Sequence, residues 1–262
     1  MAVVGNVASL WRYPVKSMRG QEVPKAFIGF AGMYGDRLFA FRDIAAPSGF
    51  PFLTARQQES MLLYQAKFRY PEHAGEPPNL TESQKMAPGA TPLYPDPAQM
   101  IVDVRTPSGK VLAIDDPELI AVLSEGLDRS HVLTLLRSDR SLTDCRPISI
   151  FSIQTVHQIG QEIGFTPDRR QFRANIYVDF GSMAGFSENE FVGRTLQIGA
   201  AVVTVTDLDP RCKMITLDPD TGEARPEVLR RVTHAHGGKA GLYGAVVVEG
   251  TVRAGDSVVL LN

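Results

Sequence analysis

The chain has 262 residues, 44% of them hydrophobic, and a formal net charge of -2. That charge argues against a general nucleic-acid-binding role, which favours a basic surplus. No apolar run approaches the ~20 residues needed to span a bilayer, and the N-terminal residues lack the charged-then-apolar order of a signal peptide; no membrane partner is expected.

In chain order, the first half reads as short strands. Residues 3–11, 23–30 and 37–41 are rich in valine and aromatic residues. Residues 71–97 differ in kind, because seven of the 27 are proline. This is read as a long exposed loop, either a tolerated surface insertion, the favoured reading, or a lid beside a binding site. Strands over 100–105 and 110–114 bracket Thr106-Pro107-Ser108-Gly109, a hairpin turn. Asp115-Asp116-Pro117-Glu118 opens a helix with Leu119, Ile120, Val122, Leu123 and Leu127 as its apolar pattern. Residues 131–136 add a strand.

The second half begins near Arg146 with a strand over 147–152 that feeds a helix over 154–163, stopped by Gly164. Strands are expected over 173–178, 196–206, 244–252 and 257–261, with a short helix over 226–232. Arg253-Ala254-Gly255-Asp256 reads as a hairpin turn. The fold class is mainly β with α insertions (α+β), a barrel or sandwich and not a doubly wound sheet.

Two cysteines, Cys145 and Cys212, are not a disulfide framework. A reducing, cytoplasmic compartment is the simplest reading. Cys212 stands between Arg211 and Lys213, and neighbouring cations favour a thiolate. A thiolate is a nucleophile or a soft-metal ligand; the alternative is a small buried apolar residue. His234-Ala235-His236-Gly237-Gly238 invites a metal reading, but its glycines indicate a loop and two histidines do not complete a zinc site. Gly237-Gly238-Lys239-Ala240-Gly241 lacks the spacing of a phosphate-binding loop.

Four segments together resemble the MOSC family, in its form with an additional N-terminal β-barrel. They are Tyr13-Pro14-Val15-Lys16-Ser17-Met18-Arg19-Gly20; Gly35-Asp36-Arg37-Leu38-Phe39-Ala40-Phe41 with Phe52-Leu53-Thr54-Ala55-Arg56-Gln57; Phe172-Arg173-Ala174-Asn175-Ile176-Tyr177-Val178-Asp179; and Asp209-Pro210-Arg211-Cys212 with its Asp218-Pro219-Asp220-Thr221-Gly222 tail. The resemblance implies an N-terminal MOSC-type β-barrel domain over 1–130, containing the proline-rich loop, and a MOSC catalytic domain over 131–262. It implies a molybdenum cofactor (molybdopterin) with Cys212 as the protein ligand to the metal.

The resemblance also implies the grip on that cofactor. Lys16, Ser17 and Arg37 match its positions, Arg173 and Asn175 match the Arg-Pro-Asn element, and Arg211 joins the set. A guanidinium fork suits a pterin phosphate. Asn175 has strand-edge hydrogen bonding as its alternative. Ser152 and Thr155 match hydroxyl positions of the family, or form an N-cap and first-turn pair. Ala174 stands where many relatives carry proline. Asp209 stands where amidoxime-reducing members carry a cysteine; it either delivers a proton in catalysis or is a turn residue, and Asp-Pro favours the turn.

The implied activity is a molybdenum-cofactor-dependent oxidoreductase that reduces small N-hydroxylated or related N–O substrates, with electrons from a separate electron-transfer protein. The alternatives are a cofactor carrier or sulfur-transfer protein that uses Cys212 without turnover, and a binding module that lost the metal. Survival of Lys16, Arg37 and Asn175 disfavours the last.

Overall fold

The computed structural model describes residues 1–83, 85–86 and 96–261. Much of the second half of the proline-rich stretch lies outside the described residues. The strands, in chain order, are β1 (Ala2–Arg12), β2 (Gln21–Val23), β3 (Lys25–Gly29), β4 (Gly32–Met33), β5 (Phe39–Asp43), β6 (Gln65–Phe68), β7 (Val102–Arg105), β8 (Val111–Ala113), β9 (Leu133–Arg137), β10 (Ile148–Ser152), β11 (Ile176–Asp179), β12 (Thr195–Ile198), β13 (Ala201–Pro210), β14 (Lys239–Val248), β15 (Gly250–Arg253) and β16 (Ser257–Leu260). The helices are α1 (Leu80–Ser83), α2 (Pro117–Ser124), α3 (Ile153–Ile163) and α4 (Pro226–His236). No helix among the described residues is long and apolar enough to cross a membrane.

Seven strands close a barrel in the order β11-β10-β14-β13-β12-β16-β1, with β1 returning to β11 and β2 attached to β1. The first strand of the chain therefore completes a barrel otherwise built by the second half. It can serve two neighbours because it bends at irregularities after Val3 and Val7: Ala2–Asn6 pairs with β16, and Asn6–Leu10 pairs with β11. Val7, Leu10, Ile148, Ile150, Val203, Val205 and Leu242 fill the interior. A second core, with Phe39, Phe41, Leu53, Met61, Val102, Val104 and Leu119, lies under β5–β9, β6–β7–β8 and α2.

The three expected helices obey their signals, although α2 stops at Ser124, short of Leu127, and α4 runs longer; α1, within the proline-rich stretch, is not among them. Asp116 caps α2 through Glu118 N. Ser152 caps α3 by accepting from Thr155 N, and Gly164 ends it in the left-handed conformation. The third helix, expected over 226–232, runs on through His236, because Gly237 (φ 61°) is its C-cap and not part of a loop that begins earlier. The His236 Nε2 lies 2.8 Å from Glu162, and its ring stacks on Phe186 at 3.6 Å. This histidine ties α4 to α3.

Several strand expectations need correction: residues 196–206 are divided between β12 and β13, and 244–252 between β14 and β15. Residues 37 and 173 do not begin strands. Arg37 (φ 47°) and Arg173 (φ 52°) are left-handed residues that turn the chain before β5 and β11. The 253–256 turn is not a hairpin, since β15 pairs with β3 while β16 pairs with β12 and β1. Local turn chemistry is identical in both cases, and only the distant partners differ. Asp209 is not a free turn residue either. It is the penultimate residue of β13, at an irregularity between Leu208 and Pro210, where a strand tolerates proline.

Candidate functional site

A cleft opens between the barrel and the first-half layers, enclosing about 730 Å³ including its solvent-open mouth. Lys16, Ser17, Arg37, Thr54 and Arg56 form one wall. The other comes from Ser149, the 171–175 segment, residues 209–212 and Tyr243. Asp144 and Arg146 close it from the connection into β10.

Its electrostatics oppose those of the whole chain. The net charge is -2, yet the lining holds six cations (Lys16, Arg37, Arg56, Arg146, Arg173 and Arg211) and only two carboxylates, Asp144 and Asp209. Three of the four non-glycine residues with positive φ among the described residues, Ser17, Arg37 and Arg173, also line it. Such conformations cost about 1–3 kcal/mol each and concentrate where a site needs a side chain aimed.

The cations are seated individually. Lys16 is buried, donates to Leu142 O (2.8 Å) and Asp144 Oδ1 (2.5 Å), and lies over the Phe50 and Phe52 rings. Burial lowers its pKa below the usual lysine value, against the pull of Asp144. Burial likewise opposes the charge of Arg37, but Asp36 at 2.5 Å outweighs it and raises the pKa. The second fork of Arg37 donates to Arg173 O at 3.1 Å. Arg173 is desolvated and faces Arg37, and its pKa falls to about 10. Its Nη2 is buried without a hydrogen-bond partner. An unpaired buried guanidinium nitrogen in a cationic cleft is a ready donor to an anion.

Cys212 follows β13 at the start of a single 3-10 turn, Lys213–Thr216, and is half-buried on the cleft wall. Cys145 is exposed, and neither cysteine is in a disulfide. The flanking cations are held elsewhere. Arg211 donates to Ala240 O (2.7 Å) and Phe172 O (2.8 Å), with Asp209 Oδ2 2.8 Å from its Nη2. Lys213 pairs with Glu59 at 2.6 Å. Gly241 makes room for this arrangement: at φ 81° a Cβ there would lie 2.6 Å from Phe151 and 2.9 Å from Arg211 Nη2.

The structure thus brings together Lys16, Ser17, Arg37, Arg173, Asn175, Asp209, Arg211 and Cys212. Asn175 also bridges strands, since its Oδ1 accepts from Ser149 N and its Nδ2 donates to Trp11 O, both at 3.3 Å. Ser152 and Thr155 do not line the cleft. They are the N-cap pair of α3, and the Thr155 hydroxyl donates to buried Glu188 at 2.5 Å. Sequence reading missed Asp144, Arg146, Ser149 and Tyr243. Thr54 and Arg56 lay within a quoted motif, so a signal for them existed; Asp144 sits in an irregular connection that carries none.

A MOSC N-terminal beta barrel domain model matches residues 4–115, and a MOSC domain model matches residues 137–259. The chain belongs to the MOSC family. That family is associated with molybdenum-cofactor binding. This MOSC protein is 24% identical over 295 residues to mitochondrial amidoxime-reducing component 1 of Mus musculus, covering 99% of this chain and 83% of that protein. Among solved structures it is similar to the YUAD protein from Bacillus subtilis (14% identity, TM-score 0.47, 97% of this chain and 93% of that one). It is also similar to YiiM from Geobacillus stearothermophilus (19% identity, TM-score 0.36, 45% of this chain and 55% of that one).

The residues present fit the family's cofactor on two counts. An anionic group finds six lining cations and the unpaired Arg173 Nη2. A soft metal finds a half-buried thiol, Cys212, on the same wall.

Proposed function

We propose that this MOSC protein is a molybdenum-cofactor-dependent reductase of small N-hydroxylated or related N–O compounds, supplied with electrons by a separate electron-transfer protein. The observation that carries this reading is the meeting of one thiol and a cationic wall in a cleft between two differently built layers. The similarity to an amidoxime-reducing component supports the reaction type.

Bound there, the cofactor would supply two-electron redox chemistry. The chain's own residues do the rest. Cys212 would be the protein ligand. Arg173 would offer its unpaired Nη2 to the cofactor's anionic part, while Arg37, held by Asp36 and Arg173 O, and buried Lys16, held by Asp144, would add positive charge beside it. Phe172 and Ile215 give the wall apolar surface that limits water near the reacting N–O bond. The overall change takes up two electrons and two protons, breaks the N–O bond and releases the oxygen as water.

The test is turnover of an amidoxime and of a hydroxylamine by protein loaded with cofactor, using a reduced dye as electron donor. The expected result is stoichiometric formation of the amidine and the amine. Loaded protein that releases cofactor to an acceptor but reduces neither compound would instead indicate a carrier.

A further inference from the structure

Asp209 is nearly inaccessible (3% exposed), yet it lines the cleft three residues before Cys212. Its Oδ2 accepts from Ser149 Oγ at 3.0 Å and lies 2.8 Å from Arg211 Nη2. Tyr243, on the adjacent strand, lines the same cleft, and its hydroxyl favours the Asp209 carboxylate. Tyr243 is part-buried and belongs to two walls at once. One is the cleft; the other is a second, open cavity of about 1030 Å³, which also touches Thr206, Asp207, Lys239 and Cys145. Arg146 and Pro210 are the other residues common to both.

We propose that Asp209 is the proton donor to the oxygen leaving the substrate, and that Tyr243 positions it and passes protons to it from the second cavity. The proposal rests on the reductase reading above. Of the two protons consumed per N–O bond, Asp209 gives one to the departing oxygen as that bond breaks. It then regains a proton from water in the second cavity through the Tyr243 hydroxyl, which gives one up toward Asp209 as it takes one from that side. The other proton comes from water in the cleft, and both electrons come from the electron-transfer protein.

The surroundings suit a donor. Burial raises the pKa of Asp209 above the ordinary carboxyl value, and Asp144 adds to the effect. Arg211, Ser149 and Tyr243 act in the opposite sense by favouring the carboxylate. The group therefore keeps a proton to higher pH than an exposed aspartate while remaining able to release it. A positioned acid of this kind is worth about 10²–10⁴-fold in rate.

The experiment compares wild type with Asp209→Asn, Asp209→Glu and Tyr243→Phe. Molybdenum per chain is measured first, then kcat and KM across pH, and separately an infrared titration of the protonated-carboxyl band in protein without cofactor. Asp209→Asn should retain molybdenum, lose about 10² or more in kcat with little change in KM, and lack the titrating band. Asp209→Glu should restore part of kcat. Tyr243→Phe removes a hydroxyl that favours the carboxylate. Its infrared midpoint, and the basic limb of its kcat profile, should therefore move to higher pH, with kcat about tenfold lower. Activity that falls only in step with lost molybdenum would overturn the proposal, showing Asp209 to be a brace for the cysteine segment. So would an infrared midpoint in the ordinary carboxyl range or unmoved by Tyr243→Phe. Loaded wild type without turnover would overturn the reductase reading and this donor role with it, and the infrared titration would then report separately on the Asp209–Tyr243 couple.

Discussion

Replacing Cys212 by alanine is expected to reduce N–O turnover to background and to strip molybdenum from the purified protein while the fold persists. The thiol is half-buried just past β13, outside the tightly packed interiors. Its loss should therefore change stability by less than about 1 kcal/mol. The pterin end would keep its cationic wall, so pterin should fall less than metal. Cys212→Ser offers a hard oxygen in place of a soft sulfur and should recover little. Metal analysis, circular dichroism and a dye-linked assay on the same preparations check all three points. Full activity in the alanine variant would remove Cys212 from the ligand role.

Replacing Arg37 by alanine should instead damage the whole molecule, by roughly 3–5 kcal/mol in urea unfolding. Asp36 is fully buried, with one oxygen accepting from Tyr13 N at 2.8 Å and the other from Arg37 at 2.5 Å. Without the guanidinium, a buried carboxylate loses its counter-charge. Arg37 also lies over the Tyr13 ring at 4.6 Å, where Arg173 approaches at 4.3 Å, so the cleft wall would lose its packing as well as its charge. Arg37→Lys keeps the charge but not the fork and should recover only part of the loss. Changing both partners, to Asp36→Asn with Arg37→Gln, should cost less than Arg37→Ala alone, because no buried charge is left behind. A loss under about 1 kcal/mol in Arg37→Ala would contradict this account of the pair.

Most of the barrel was legible because its strands are valine-rich runs bounded by turn residues, and because α3 carries both its stop signal and its apolar face. What escaped depended on distant partners. The residues at 253–256 look like a hairpin turn, but nothing local reveals that β15 joins β3. Arg37 and Arg173 sit at the head of strand-like runs, and only the tertiary seats given by Asp36 and Tyr13 explain their left-handed backbones. Asp-Pro at 209–210 has the local signature of a turn, and the pairing of Pro210 with Lys239 overrides it.

The site divides in the same way. Lys16, Arg37, Arg173 and Cys212 were reached through motif resemblance, since no spacing rule joins residues so far apart in the chain. Tyr243 lies in an apolar strand run and Asp144 in a connection, and neither residue type is rare enough to stand out there. Ser152 and Thr155 show the converse: hydroxyls at a strand-to-helix turn suit a cap and a ligand equally, and here the structure uses them for the cap and for Glu188.

The claim beneath all of this is that the cationic cleft holds a metal-bearing pterin through Cys212. It is tested most directly by molybdenum and pterin analysis of wild-type protein made in a host that synthesises the cofactor. The account predicts close to one molybdenum and one pterin per chain after gel filtration. A folded chain that emerges with neither would contradict it.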